Sequence, residues 1–122
     1  MTPHADGALT LDIAGPTATL TLNRPAARNA LNLAMWKALP DCVAAVRAEK
    51  AVRVLIICGA GGHFASGADI AEFPEVFADR AAAQSYARDL EAATEAIAGL
   101  DKPVIARIDG SCIGAGLAIA LA

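Results

Sequence analysis

Two stretches of this sequence hold residues of the type and spacing that handle negative charge: Val54–Ile70 (VLIICGAGGHFASGADI) and Val104–Gly116 (VIARIDGSCIGAG). In each, an apolar run ends in a Gly-rich turn that reads as the opening of a helix. The start of a helix offers backbone N–H groups with no internal partner and the positive end of the helix dipole. Such ends hold phosphates or oxyanions that develop during a reaction. Ser66-Gly-Ala-Asp69 fits the S-x-x-D capping pattern, which makes Asp69 a helix-start residue rather than a catalyst. Spacing alone leaves open the alternative that both are ordinary strand-to-helix turns.

The known phosphate fingerprints do not fit. G-x-G-x-x-G fails at Gly59-Ala-Gly61, where position 64 is Phe64, and at Gly114-Ala-Gly116, where position 119 is Ile119. The Walker spacing runs from Gly62 to Gly67, but Ala68-Asp69 stands where Lys-Ser/Thr is needed. The nucleophile elbow G-x-S-x-G is absent. His63 reads as a surface-loop histidine, and with His4 as the only other histidine no metal site is expected.

The elements that must position these turns follow from periodicity. Ala8–Ala14 and Thr17–Asn23 alternate around Gly15-Pro16, which predicts a hairpin with Ala18, Leu20 and Leu22 on one face. Leu33–Glu49 predicts a helix with Leu39, Val43 and Val46 inward and a kink at Pro40. Val52–Cys58 predicts a buried strand, followed by a loop over Gly59–Gly67. Pro74–Ala98 predicts a long helix or two pieces, with Tyr86, Leu90, Ala93 and Ile97 as its stripe and Gly99 as its stop. Pro103–Ile108 predicts a further strand, and a helix begins at Gly116. Alternation of strands and helices means an α/β layer architecture.

The 122 residues suffice for one modest domain, 56% hydrophobic and 19% charged. A net charge of −3 without a basic cluster argues against a nucleic-acid partner. No apolar run reaches membrane-span length, so no membrane partner is expected. Cys42, Cys58 and Cys112 are far apart and odd in number. They read as reduced and buried, which together with a start lacking signal-peptide character gives a cytoplasmic expectation.

Three motifs, TLNRPAARNALN (Thr21–Asn32), HFASGADIAEF (His63–Phe73) and KPVIARIDGSCIGAG (Lys102–Gly116), resemble the crotonase superfamily of enoyl-CoA hydratases and isomerases in both order and spacing. The resemblance implies the α/β crotonase-like ββα spiral fold, with residues 1–122 as the N-terminal part of one domain cut inside the second glycine-turn helix. It implies an acyl-CoA substrate whose thioester enolate is held by two backbone N–H groups. By motif these are the amides of Ala68 and Ala115, the latter where many relatives carry glycine. The CoA moiety would lie along Arg24–Arg28, touching Ala26 and Arg28, with Ser66, Ala68 and Ile70 beside the adenine. Arg24 and Arg28 would neutralise CoA phosphates, or else remain solvated surface charges. Phe73, Phe77 and Tyr86 would line an acyl pocket, or else pack in the core. The resemblance further implies no separate cofactor, no metal, and a homotrimer or hexamer of the full-length protein.

One position departs from the family's pattern. Hydratases carry a catalytic glutamate where this sequence has Ala118, and alanine transfers no proton. The other family carboxylate would fall beyond residue 122. Isomerase or other crotonase chemistry is therefore expected in preference to hydration. Two competing readings remain: a non-catalytic binding or assembly protein on the same fold, and a serine hydrolase using Ser66 or Ser111, for which no His or Lys base is expected nearby.

Overall fold

The computed structural model describes all residues from 1 to 122. A five-stranded sheet has the order β1 (Thr2–His4), β2 (Leu9–Ala14), β3 (Thr17–Leu22), β4 (Val54–Gly59), β5 (Val104–Ala106). The first three strands are antiparallel, and β3, β4 and β5 run parallel. The predicted hairpin is β2–β3, with Ala14 opposite Thr17 and Gly15 at φ +59° in the turn. Leu9, Leu11, Ala18, Leu20 and Leu22 form its buried face. The edge strand β1 was not foreseen: it is three residues long and carries Pro3, which leaves no alternation to read.

Helix α1 (Leu33–Ala48) crosses from β3 to β4 and lays Met35, Trp36, Leu39, Cys42, Val43 and Val46 on the sheet. Pro40 does not divide it. Proline inside a helix costs about 3 kcal/mol, whereas each large apolar side chain buried on either side of it contributes about 1.5–3 kcal/mol. The helix start is tied twice: Asn32 Oδ1 accepts from the Met35 N–H at 2.9 Å, and Glu72 Oε1 from the Leu33 N–H at 2.7 Å.

The Pro74–Ala98 stretch forms two pieces, α2 (Phe73–Val76) and α3 (Arg80–Ala98). Asp79 caps α3 by accepting from the Ala82 N–H at 2.7 Å. Tyr86, Ala93 and Ile97 are buried and Leu90 is half-buried, as the stripe predicts. Gly99 ends α3 in a right-handed conformation, its N–H bonded to the Glu95 carbonyl. A last helix, α4 (Ala115–Leu121), follows the second glycine turn. All three cysteines are free thiols; Cys42 and Cys58 are buried, but Cys112 is only half-buried. No helix is long and apolar enough to cross a membrane.

Candidate functional site

Past the ends of β3, β4 and β5 the chain continues as three irregular segments in the same order. The middle one, Phe64–Asp69, is sewn to both neighbours. On one side, Ser66 N–H donates to Arg28 O at 3.0 Å, Leu31 N–H to Gly67 O at 2.9 Å and Asp69 N–H to Leu31 O at 2.9 Å. On the other, Ala65 N–H donates to Ser111 O at 3.0 Å and Ile113 N–H to Ala65 O at 3.1 Å.

This pairing fixes the direction of one amide. Gly67 adopts φ +134° and turns its carbonyl toward Leu31. The peptide bond is trans, so the Ala68 N–H in the same peptide unit points the opposite way, toward the third segment. There the pairing has already ended, because Gly114 (φ +54°) lifts the chain into α4. The Ala68 N–H consequently donates to nothing in the chain.

The same holds for Ala115. The Gly114 carbonyl accepts from Ala118 N–H at 3.0 Å, which leaves the Ala115 N–H projecting from the open front of α4 without an acceptor. The two glycines preceding these alanines meet backbone to backbone: a Cβ on Gly114 would lie 3.9 Å from Gly67 Cα, and one on Gly67 would lie 3.9 Å from Ile113 O. Gly116, buried in the first turn of α4, packs far more closely on the middle segment, where a Cβ would fall 2.5 Å from Ala65 O.

Ala68, Gly114 and Ala115 open into one cavity of about 540 Å³, whose wall also carries Trp36, Phe73, Tyr86, Leu90, Glu91, Thr94 and Ala118. The wall is mostly apolar and its mouth is open to solvent at Gly114, Ala118 and Glu91; oriented N–H groups there can act on developing negative charge. Ala118 is on this wall. Phe73 and Tyr86 are as well, whereas Phe77 is half-exposed outside it and stacks edge-on against both, with ring centroids 5.1 and 5.4 Å away. Burial pushes the Tyr86 hydroxyl above its ordinary pKa, with the Trp36 indole acting in the opposite direction.

Several sequence expectations are corrected. The first glycine turn opens only a short helical stretch: Ala68 is bridged to Leu31, and a 3-10 turn at Ile70–Glu72 then runs directly into α2. Ser66 does not cap; its hydroxyl donates to Ala27 O at 3.3 Å, and Asp69 caps the short turn instead by accepting from Ala71 N–H at 3.1 Å. Arg24 is neither a solvated charge nor a free phosphate ligand. Its guanidinium donates to Ala30 O at 2.6 Å and pairs with Asp69 at 3.3 Å, both side chains mostly covered. Arg28, by contrast, is exposed, as are Ala26 and Ile70. Of the acids near the turns, Glu72 is bonded to the start of α1, Asp69 pairs with Arg24 and Asp109 is exposed; the carboxylate on the cavity wall is Glu91.

A histidine does approach Ser111, against expectation. His63 Nδ1 accepts from the Ser111 backbone N–H at 3.0 Å. That nitrogen's lone pair is therefore occupied by an amide and does not serve a serine hydroxyl. No three His, Cys, Asp or Glu side chains converge as metal ligands.

Asn29 was missed entirely. It is fully buried at φ +60°, accepts from Arg24 N–H at 2.8 Å, and donates to Ala60 O at 2.9 Å and His63 O at 2.8 Å. It ties the Arg24–Arg28 turn to the first glycine turn. The signal for it was the Arg-Asn pair itself, because asparagine tolerates the left-handed region and carries both donor and acceptor.

Residues 13–122 match the enoyl-CoA hydratase/isomerase family. Among curated relatives, the chain is 42% identical over 103 residues to 2,3-dehydroadipyl-CoA hydratase of Escherichia coli (strain K12), covering 84% of this chain and 38% of that protein. It is 38% identical over 105 residues to the mitochondrial Delta(3,5)-Delta(2,4)-dienoyl-CoA isomerase of Mus musculus, covering 79% of this chain and 32% of that protein. Among solved structures, an enoyl-CoA hydratase/isomerase family protein from Hyphomonas neptunium superposes with a TM-score of 0.91 at 43% identity, over 93% of this chain and 44% of that one. An enoyl-CoA hydratase/carnithine racemase from Magnetospirillum magneticum gives 0.89 at 40% identity, over 93% and 43%. The chain thus spans less than half the length of each of these relatives.

Proposed function

This chain belongs to the enoyl-CoA hydratase/isomerase family, and from that premise we propose that the protein binds an acyl-CoA thioester and stabilises its enolate with the Ala68 and Ala115 amides. The observation that carries this reading is the pair of unspent N–H groups opening into one apolar cavity. When a proton leaves the carbon next to the thioester, its electron pair moves onto the carbonyl oxygen. Two fixed donors lower that barrier, and each costs about 2.7–4 kcal/mol of transition-state stabilisation when removed.

The exposed Arg28 and Ala26 and the apolar Ile70, with Ser66 and Ala68 beside them, form our proposed binding strip for the CoA moiety; Arg28 meets a phosphate. CoA enters as part of the substrate, with no separate cofactor. The names of the relatives include both a hydratase and an isomerase. Alanine at 118 favours double-bond isomerisation, in which a proton is taken from one carbon and returned to another, over addition of water. We further propose a homotrimer or hexamer, in the cytoplasm, a compartment that keeps the three thiols reduced.

Calorimetry with the full-length protein and a short enoyl-CoA, followed by isomer analysis of the product, tests the reading. Micromolar binding with migration of the double bond is the expected result. No binding at millimolar acyl-CoA would overturn it, and a hydrated product would overturn the preference for isomerisation.

A further inference from the structure

We infer that His63, in its neutral form with the proton on Nε2, is the positioning residue that registers one glycine turn on the other; its link to catalysis rests on the oxyanion reading of Ala68 and Ala115. Ser111 is gripped from both sides by consecutive residues of the first turn. Its N–H goes to His63 Nδ1 at 3.0 Å, and its carbonyl accepts from Phe64 N–H at 3.1 Å and Ala65 N–H at 3.0 Å. The ring fits against a glycine that leaves room for it: a Cβ on Gly110, itself at φ +57°, would fall 2.6 Å from Nδ1 and 3.2 Å from Cε1. The histidine's own carbonyl is anchored by buried Asn29. His63 does not line the cavity, so it acts through the turns and not on substrate.

An imidazole nitrogen accepts an N–H only when it carries no proton. Protonation at Nδ1 sets two N–H groups against each other and releases Ser111, four residues before the Ala115 donor. The titratable or charged residues on the segments packed against His63 are Arg107, Asp109 and Cys112 on the segment after β5, Arg24 and Arg28 on the Arg24–Asn29 turn, Asp69 on its own segment and Cys58 at the end of β4. Arg24 and Asp69 neutralise one another.

The test compares His63→Asn and His63→Ala in the full-length protein. Asparagine places Oδ1 near the position of Nδ1 as an acceptor and does not titrate; alanine offers no acceptor. The readouts are the backbone amide resonances of Ser111, Ala68 and Ala115 against pH, and kcat and KM for acyl-CoA turnover against pH. In the wild type the Ser111 amide should shift together with the His63 ring signals on acidification. In His63→Asn it should not, and the acid limb of the kcat profile should disappear. His63→Ala should lose about tenfold or more in kcat with KM within about threefold, and His63→Asn should restore kcat. A Ser111 amide indifferent to the state of His63, or an asparagine variant no better than alanine, would overturn the inference. Should His63→Ala fail to fold, the wild-type and His63→Asn titrations decide. Should the wild type turn over no acyl-CoA, the oxyanion reading fails, and the amide titrations alone judge the registration of the turns.

Discussion

Replacing Gly116 with alanine should separate activity from stability. A Cβ there falls 2.5 Å from Ala65 O and 2.8 Å from Ala65 Cβ, where ordinary contact begins near 3.4 Å. Relief requires a movement of about 0.9 Å, and the neighbour that must give is hydrogen-bonded backbone, so the front of α4 moves. Overpacking costs about 1–3 kcal/mol, while alanine gains about 1 kcal/mol over glycine within a helix. The net loss of stability is therefore small, about 0–2 kcal/mol. The donor is treated less kindly: a displacement near 1 Å costs about 100-fold in rate, and complete loss of one oxyanion donor about 100- to 1,000-fold. Steady-state kinetics of full-length Gly116→Ala with an enoyl-CoA substrate, beside a thermal melt, should show kcat down by about 100-fold or more with KM within about threefold. A kcat within about threefold of wild type would refute the claim that α4 seats the second donor.

Asn29→Ala strands three backbone partners and leaves alanine at a left-handed position; a loss of about 2–4 kcal/mol should lower the melting temperature of the full-length protein by roughly 5–15 °C. A shift below about 2 °C would contradict its anchoring role. Arg28→Ala should weaken CoA binding about tenfold in a salt-dependent way, whereas Arg24→Ala should lower stability by about 1–3 kcal/mol and leave CoA affinity unchanged; calorimetry and melting showing the reverse pattern would reassign the two arginines. If Glu91 carries a proton in the cavity, Glu91→Gln should lower kcat by about 100- to 10,000-fold, and an unchanged kcat would place the proton elsewhere in the protein. Burial, reinforced by the charge of Asp41, pushes the Cys42 thiol from 9.0 to about 11. The unfolded chain ionises this thiol first, so its contribution to stability is complete below pH 9 and is lost as pH rises toward about 11. Melts across that window should show a steeper alkaline decline in the wild type than in Cys42→Ala, and half-buried Cys112 should be alkylated before Cys42.

Four of the five strands and the helices that cover them were legible because their signals are local. The alternation of Thr17–Leu22 and the apolar stripe of α3 belong to single segments. The site was legible only in outline. The motifs named the donor residues, but the direction of the Ala68 amide depends on Leu31, whose partner lies 36 positions away along the chain. The first turn opens only a short helical stretch, the 3-10 turn Ile70–Glu72 running into α2, and Asp69 starts it while also pairing with Arg24. Asn29 escaped notice and His63 was read only as a surface-loop histidine for a related reason. In sequence they are a polar loop residue and an isolated histidine, and they acquire meaning only when remote backbone atoms are delivered to them.

The proposed charge-holding atoms at Ala68 and Ala115 are main-chain atoms, and this makes them hard to lose by mutation. No change of side chain deletes an N–H except a change to proline, and at the first position of α4 proline otherwise suits the helix. Ala115→Pro is therefore the one substitution that subtracts that donor and little else. Beyond the glycines that seat the two turns, side chains of the cavity wall such as Ala118 and Glu91 can vary under selection without deleting either amide. A lineage that keeps the three sewn segments can exchange its acids and bases, and so its reaction, while the same pair of peptide groups goes on receiving the negative charge.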